Sequence, residues 1–381
     1  QLKSAGSFTH NNRTLLSGHA YQDGRRVKPE QVRDIGVYRP ITASYEHPHG
    51  RVYCAANTTH NTLKAFLSRQ CGAQLQPSPL VMEVYREEVH KLRDFMVENI
   101  RFHEIKLTFD QYLQTVEGSK RPVYYQGYQQ FLKTGQIDMT MEGMMKTKEF
   151  KLTPNVKSRN LFNPSPTMKA IGGYCNKLLI MATQSVIPEF IIGKTPEETS
   201  TLFTKATRRF TNPIHVSTDF SAYDSHMSAY HLYLDQCLIK ALLPDLLYYN
   251  DQFYHNVDSI LNSLCRLETS VVFYTPGPRK HRKILFKGKL ADTTYSGHPV
   301  RTSWGNTLRS LVMFRVVKRG FNHESVTFHT GDDANTIVEA PHVKEFISSL
   351  YQFFSPVEED IVHGLGHVLK ECKVGEHSFF C

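Results

Sequence analysis

The chain has 381 residues, 40% hydrophobic and 21% charged, with 23 Phe and 19 Tyr. That content excludes a disordered chain and allows a sizeable core, in one large domain or in two to three lobes. A formal net charge of +9 favours a polyanionic partner, and no apolar run approaches the ~18 residues of a membrane span.

The N-terminal stretch QLKSAGSFTHNNR lacks the apolar centre of a signal peptide, and Gln1 in place of an initiator Met reads as a piece of a longer protein. The seven cysteines are scattered, with no CxxC pair, which argues against a zinc ribbon or a secreted disulfide framework and for a reducing, intracellular setting. Residues 1–50 are polar with scattered Pro and His and read as an irregular leader with short elements. From Asn57 to Phe150 the apolar periodicity is helical, as in PLVMEVYREEVHKLRDFMVENIRFHEI. Residues 151–170 read as a proline-broken basic loop or ribbon.

A short β-prone run, NPIHVSTDFSAYD, then leads into a long helix, SAYHLYLDQCLIKALL. SVVFYTPGPRKHRKILFKGKL has the form of a hairpin turning at Pro276, Gly277 and Pro278. TSWGNTLRSLVMFRVVKR is a further helix, with Trp304 expected to pack into the core. SVTFHTGDDANTIVEA reads as two strands joined at Gly-Asp-Asp, and PHVKEFISSLYQFF as a helix after them. This alternation of strands, hairpins and helices predicts an α+β fold.

Asp332 and Asp333 are adjacent like charges at a hairpin tip, and they repel unless a cation sits beside them. Gly331 allows the turn that exposes them. A second acidic pair, Asp219 and Asp224, falls where a β-prone run turns into a helix. Carboxylates from two neighbouring strands would form a hard, all-oxygen site suited to Mg²⁺ or Mn²⁺. Two such ions can support a phosphoryl displacement. Asp224 faces differently from Asp219 and is better placed to touch substrate. In YSGHPVRTSWGNT, Ser296 and Gly297 lie in a loop, and Thr302 and Asn306 share one helical face. Small hydroxyls and an amide there can read sugar hydroxyls.

These three segments together resemble the palm of viral RNA-dependent RNA polymerases, most closely the tombusvirus-like and nodavirus-like style of plus-strand RNA viruses. Asp219-x4-Asp224 matches the first palm motif, Ser296-Gly297 with Thr302 and Asn306 the second, and Gly331-Asp332-Asp333 the third. The order is the family's, with 77 residues from Asp219 to Ser296 and 36 from Ser296 to Asp332. KSRNLFNPSPTMKAIGGYCNKLL resembles the basic fingers motif, and HGLGHVLKECKVGEHSFFC the fourth motif running into the fifth. One departure stands in the second motif, where four residues rather than three separate Gly297 from Thr302.

The resemblance implies a right-hand polymerase with fingers and palm, the palm having a small antiparallel sheet flanked by helices. It implies an N-terminal extension or fingers segment over 1–56, fingers over 57–210, and the first palm motif over 211–240. A fingers insertion over 241–290 and the remaining palm motifs over 291–381 follow, with the thumb absent. It implies RNA-templated RNA synthesis from rNTPs with two Mg²⁺ or Mn²⁺ ions, held by Asp219, Asp332 and Asp333. Asp224 and Asn306 would sense the 2′-hydroxyl, Ser296 would hold the nascent pair, and Lys157 and Arg159 would contact the triphosphate. Lys370 leads His367 and Lys373 as the general acid for pyrophosphate.

Two basic stretches fit a polyanion. Met144 to Lys169 carries six cations and one acid, and Arg279, Lys280, Arg282 and Lys283 begin a ribbon that can follow RNA phosphates. Expected partners are template and product RNA, rNTPs and other viral replication proteins, at membrane-associated replication complexes in the host cytoplasm. The competing readings are a reverse transcriptase-like palm nucleotidyltransferase and a catalytically inactive RNA-binding fragment.

Overall fold

The computed structural model describes residues 8–10, 13–22, 25–27, 38–41, 52–56, 58–71, 77–146, 159–275, 281–354 and 364–377. The chain divides into two compact units. One comprises residues 1–74, 139–165 and 267–298, and the other residues 75–138, 166–266 and 299–381. Both mix helices with antiparallel strands, so the fold is α+β.

In the first unit, β1 (Phe8–His10), β2 (Arg13–Gln22) and β3 (Arg25–Val27) join a seven-stranded sheet with β6 (Thr140–Met145), β7 (Asn160–Pro164), β9 (Thr269–Tyr274) and β10 (Ile284–Leu290). The order is β1-β2-β10-β9-β6-β7, with β3 on β2. All neighbours are antiparallel except β6 and β9. A separate pair is made by β4 (Tyr38–Ile41) and β5 (Val52–Ala55). Helix α1 (Thr59–Arg69) is capped by the Thr58 hydroxyl, which accepts from the Asn61 N–H. It supplies Phe66, whose ring lies 5.0 Å from Phe273 and 5.1 Å from Phe286. Edge-on and tilted aromatic pairs of this kind form the apolar centre of the unit.

Two sequence expectations change here. The leader, read as irregular with short elements, holds the short strands β1, β3 and β4 but also a ten-residue strand, β2. The helical stretch from Asn57 ends early, because Thr140–Met145 is a strand. Its TMEGMM pattern alternates more exposed and buried residues, and the backbone pairs with distant β7 and β9, a partnership no local periodicity reports.

The second unit is built on a four-stranded antiparallel sheet. Its strands are β8 (Pro213–Ser221), β11 (Ser325–Thr330), β12 (Asp333–Glu339) and β13 (Val368–Gly375), in the order β11-β12-β8-β13. Strand β12 is buried from Ala334 to Val338, as a central strand covered on both faces must be. Its helices are α2 (Pro79–Asn99), α3 (Phe109–Thr115), α4 (Arg121–Thr134), α5 (Gly173–Val186), α6 (Pro196–Thr207), α7 (Ala229–Tyr249), α8 (Val257–Leu264), α9 (Asn306–Lys318) and α10 (Val343–Phe353). Helix α2 starts with Pro at N1 and buries Tyr85, Val89, Leu92 and Met96, one stripe at helical spacing. Helix α7 is apolar over most of its surface and largely buried, and α9 is buried nearly all round although it carries Asn306, Thr307, Arg309 and Ser310 among its buried residues. No helix among the described residues is long and apolar enough to cross a membrane.

The core also holds polar groups. Asp235 on α7 and Arg309 on α9 are fully buried and ion-paired. Trp304 is fully buried as expected, its indole N–H donating to the Thr183 hydroxyl at 2.8 Å. His231 donates from Nε2 to the Leu365 carbonyl at 2.8 Å, so its Nδ1 is the acceptor facing Ser228. His367 shares that carbonyl through Nδ1, and His329 pairs with the Ser310 hydroxyl.

Burial holds these three imidazoles below their ordinary pKa, His231 at about 4 and His329 and His367 well below 6.5. Between pH 6.5 and about 4 the unfolded chain therefore takes up protons that the folded chain refuses. Stability falls as pH drops through that window, by about 1.4 kcal/mol per pH unit for each histidine that stays neutral. The urea midpoint is expected to drop steadily from pH 6.5 to 5. A midpoint unchanged over that interval would contradict the burial of neutral imidazoles.

Candidate active site

The acidic site lies in the second unit, where β8 and the β11–β12 hairpin end. Ala334 is paired with Thr218 and Asn335 with Ser217. Because strand side chains alternate, this register sets Asp333 and Asp219 on the face that carries Ser217 and Asn335. That face is fixed by polar contacts: Asn335 donates to the Ser217 hydroxyl at 2.7 Å and meets His215 Nδ1 at 3.0 Å. Gly331 makes the turn at φ 66°, a left-handed conformation that glycine adopts without steric cost. Its N–H donates to the Thr307 hydroxyl of α9 at 2.9 Å, which pins the turn to that helix.

After β8 the chain bends at Ala222, a non-glycine residue at φ 45°, which is a strained conformation. The bend leads into the short 3-10 turn Tyr223–His226 that carries Asp224. Asn306, at the start of α9, donates from its side chain to Asp224 at 3.2 Å, while Arg309 donates to the other end of the same amide. Arg309 is itself held by Asp235. The amide orientation thus descends from an ion pair one layer below the site.

The carboxylates sense one another. The Asp332 carboxyl is raised to about 6, first by burial and then by the charges of Asp224, Asp333 and Asp219. Asp333 is also raised, by partial burial and by Asp219, with Lys370 opposing. Lys370 reaches Asp219 directly as an ion pair. The pairing of β13 with β8 slips between Leu369 and Glu371, so Lys370 is the extra residue of a β-bulge. A bulge redirects its side chain, and here the ammonium meets the first aspartate. The ion pair with Asp219 raises the lysine above its usual range.

The all-oxygen donor set suits a hard divalent cation, and a cation would offset both the burial and the neighbouring carboxylates that raise Asp332. Asp219, Asp332 and Asp333 are therefore the residues that fit such an ion. The carboxylates are nevertheless spread. Among the described residues, His323, His342 and Glu345 are the set of three whose ligand atoms all lie within 4.8 Å of one another.

The remaining expected residues fall as follows. Ser296 and Gly297 belong to the first unit, where the Ser296 hydroxyl is buried with no hydrogen-bond partner among the described residues. A Cβ on Gly297 would lie 1.7 Å from the Phe162 carbonyl oxygen, so close packing on β7 already demands glycine there. Thr302 lies in a π-turn, Arg301–Gly305, immediately before α9, so it is not one regular α-turn from Asn306. Arg159 precedes β7, and its carbonyl accepts from the Lys146 N–H. Arg282 is ion-paired with Glu142, which removes one cation from the expected basic ribbon, while Lys283 is exposed. His367 is fully buried against Tyr223 and His231 and stays neutral, so it is no proton donor to solvent-borne pyrophosphate. Lys373 is exposed beside Glu371. Lys157, Arg279 and Lys280 lie outside the described residues.

Sequence reasoning missed Thr307, Asp235 and Arg309. Asp235 and Arg309 each sit among apolar neighbours in the middle of a buried helix, where a charge asks for a buried partner. No family model matches the chain, and no curated protein does.

Because the Asp332 carboxylate is held against burial and like charge, Asp332→Asn is expected to stabilise the fold at pH 8, by about 1–2 kcal/mol after allowance for screening. The gain should shrink as pH falls from about 6 to below 3.8, where the wild-type carboxyl becomes protonated in both folded and unfolded chains. Thermal unfolding at the two ends of that range measures it. A variant less stable than wild type at pH 8 would contradict the crowding.

Proposed function

We propose that this chain is an RNA-directed RNA polymerase that copies a viral RNA genome by nucleotidyl transfer from rNTPs to an RNA 3′-hydroxyl. The observation that carries the reading is the convergence of Asp219, Asp224, Asp332 and Asp333 with Asn306 at one end of an antiparallel sheet. These are the residues through which the sequence resembles the palm of plus-strand viral polymerases. The resemblance expects one residue fewer before Thr302. The π-turn at Arg301–Gly305, whose wider i→i+5 spacing holds one residue more, offers a way for the helix to absorb it.

In this reading the four-stranded sheet and its helices are the palm, and the other unit carries fingers elements and the basic ribbon. Asp219, Asp332 and Asp333 would hold two Mg²⁺ or Mn²⁺ ions. Bound there, the ions would supply positive charge at the attacking hydroxyl and at the leaving oxygen. Asp224, fixed by Asn306, would accept a hydrogen bond from the ribose 2′-hydroxyl, the group that separates RNA from DNA substrates. Lys370 is protonated at neutral pH and has a proton to give to pyrophosphate. Its ion pair with Asp219 serves as a resident counter-charge, and it must open for that transfer. RNA strands, rNTPs and other viral replication proteins are the proposed partners, at membrane-associated complexes in the host cytoplasm.

A primed RNA template tests the proposal. With Mg²⁺ or Mn²⁺ the chain should extend the primer with rNTPs, and Asp332→Asn should reduce extension by about 10³-fold or more while leaving most RNA binding in place. Near-normal extension by Asp332→Asn would defeat the assignment. Asp224→Ala should lose much of the preference for rNTPs over dNTPs. Unchanged discrimination would remove Asp224 from sugar selection, and a wild type preferring dNTPs would favour a reverse transcriptase-like enzyme.

A further inference from the structure

At the far end of the β11–β12 hairpin from the Gly331–Asp332 turn, three side chains converge that the polymerase reading does not use. His323 lies in the connection between α9 and β11. His342 ends the 3-10 turn Ala340–His342 and precedes α10, and Glu345 stands in the first turn of α10. The imidazoles of His323 and His342 are stacked, with centroids 3.5 Å apart and planes 12° from parallel. His323 Nε2 lies 3.0 Å from a Glu345 carboxylate oxygen. One ligand atom from each of the three lies within 4.8 Å of the other two.

We propose that His323, His342 and Glu345 form a Zn²⁺ site. Two imidazole nitrogens and one carboxylate oxygen are a borderline donor set, which suits Zn²⁺ better than the hard ions that prefer oxygen alone. Tetrahedral coordination with bonds of about 2.0–2.2 Å puts ligand atoms roughly 3.4 Å apart, so the spacing suits one ion once one of the two stacked imidazoles turns out of the stack.

The backbone around the site is already held. Phe321 packs edge-on against His323 at 5.4 Å and against Phe346 of α10 at 5.2 Å, which seats the His323 connection on the helix that carries Glu345. His342 makes no side-chain capping bond to α10, so its ring is not committed to the helix end. The His323 and Glu345 side chains are 35% and 50% exposed, which lets an ion enter and leaves a fourth position for water.

Strand β12 separates this cluster from Asp332 by seven residues, about 20 Å at strand rise. The site is thus distinct from the carboxylate cluster and does not depend on the polymerase reading. An ion there would tie the α9–β11 connection to α10 and clip the open end of the hairpin, stabilising the fold in proportion to its occupancy.

The test titrates ZnCl₂ calorimetrically into chelator-stripped protein, in excess Mg²⁺, with thermal unfolding measured in parallel. Wild type is expected to bind one Zn²⁺ that His342→Ala does not, and Glu345→Gln, which preserves shape, should bind it at least roughly tenfold more weakly. Zn²⁺ should raise the melting temperature of wild type but not of His342→Ala. Asp332→Asn should keep the same Zn²⁺ equivalent, which separates this site from the acidic one. Equal Zn²⁺ stoichiometry and affinity in wild type, His342→Ala and Glu345→Gln would overturn the proposal, as would a wild type that binds none.

Discussion

Asp219, Asp224, Asp332 and Asp333 repel one another, and the ladder between β8 and β12 brings them together regardless. Several local features hold them there. A glycine at φ 66° shapes the turn, Thr307 anchors its N–H, Ala222 accepts a left-handed backbone, and Lys370 is delivered by a bulge. A surface turn with two aspartates needs none of this support. A strained backbone at Ala222 beside crowded carboxylates is the kind of feature found where a structure gives up stability for a site.

Support runs inward in layers. Asp224 is oriented by Asn306, Asn306 by Arg309, and Arg309 by Asp235, all in the second unit. A fully buried ion pair contributes little net stability, because desolvation offsets most of the attraction, yet losing one partner leaves the other charge stranded. Its value here is positional, since it fixes which end of the Asn306 amide faces the site. The buried imidazoles of His226, His231 and His367 lie near one another beside Tyr223, and burial keeps His231 and His367 below their ordinary pKa.

Much of the site was legible in the sequence because its signals are local. The β-prone runs on either side of Gly331-Asp332-Asp333 became β11 and β12, and the long apolar stretch after Asp224 became α7. The rest depended on distant partners. Arg13–Gln22 is a polar stretch that becomes a strand beside β10, more than 260 residues away. The bulge at Lys370 appears only once β13 is laid against β8, and the pairing of Asp235 with Arg309 only once α7 and α9 pack. Gly297 shows the opposite lesson: a residue matching a motif is explained by the Phe162 backbone it touches.

Binding of Mn²⁺ followed by electron paramagnetic resonance of the free ion tests the central claim most directly. Two ions should be withdrawn from solution per wild-type chain, with at least one lost in Asp219→Asn and in Asp332→Asn alike. Identical Mn²⁺ uptake by all three proteins would show that the opposed strands do not share a cation, and would contradict the account.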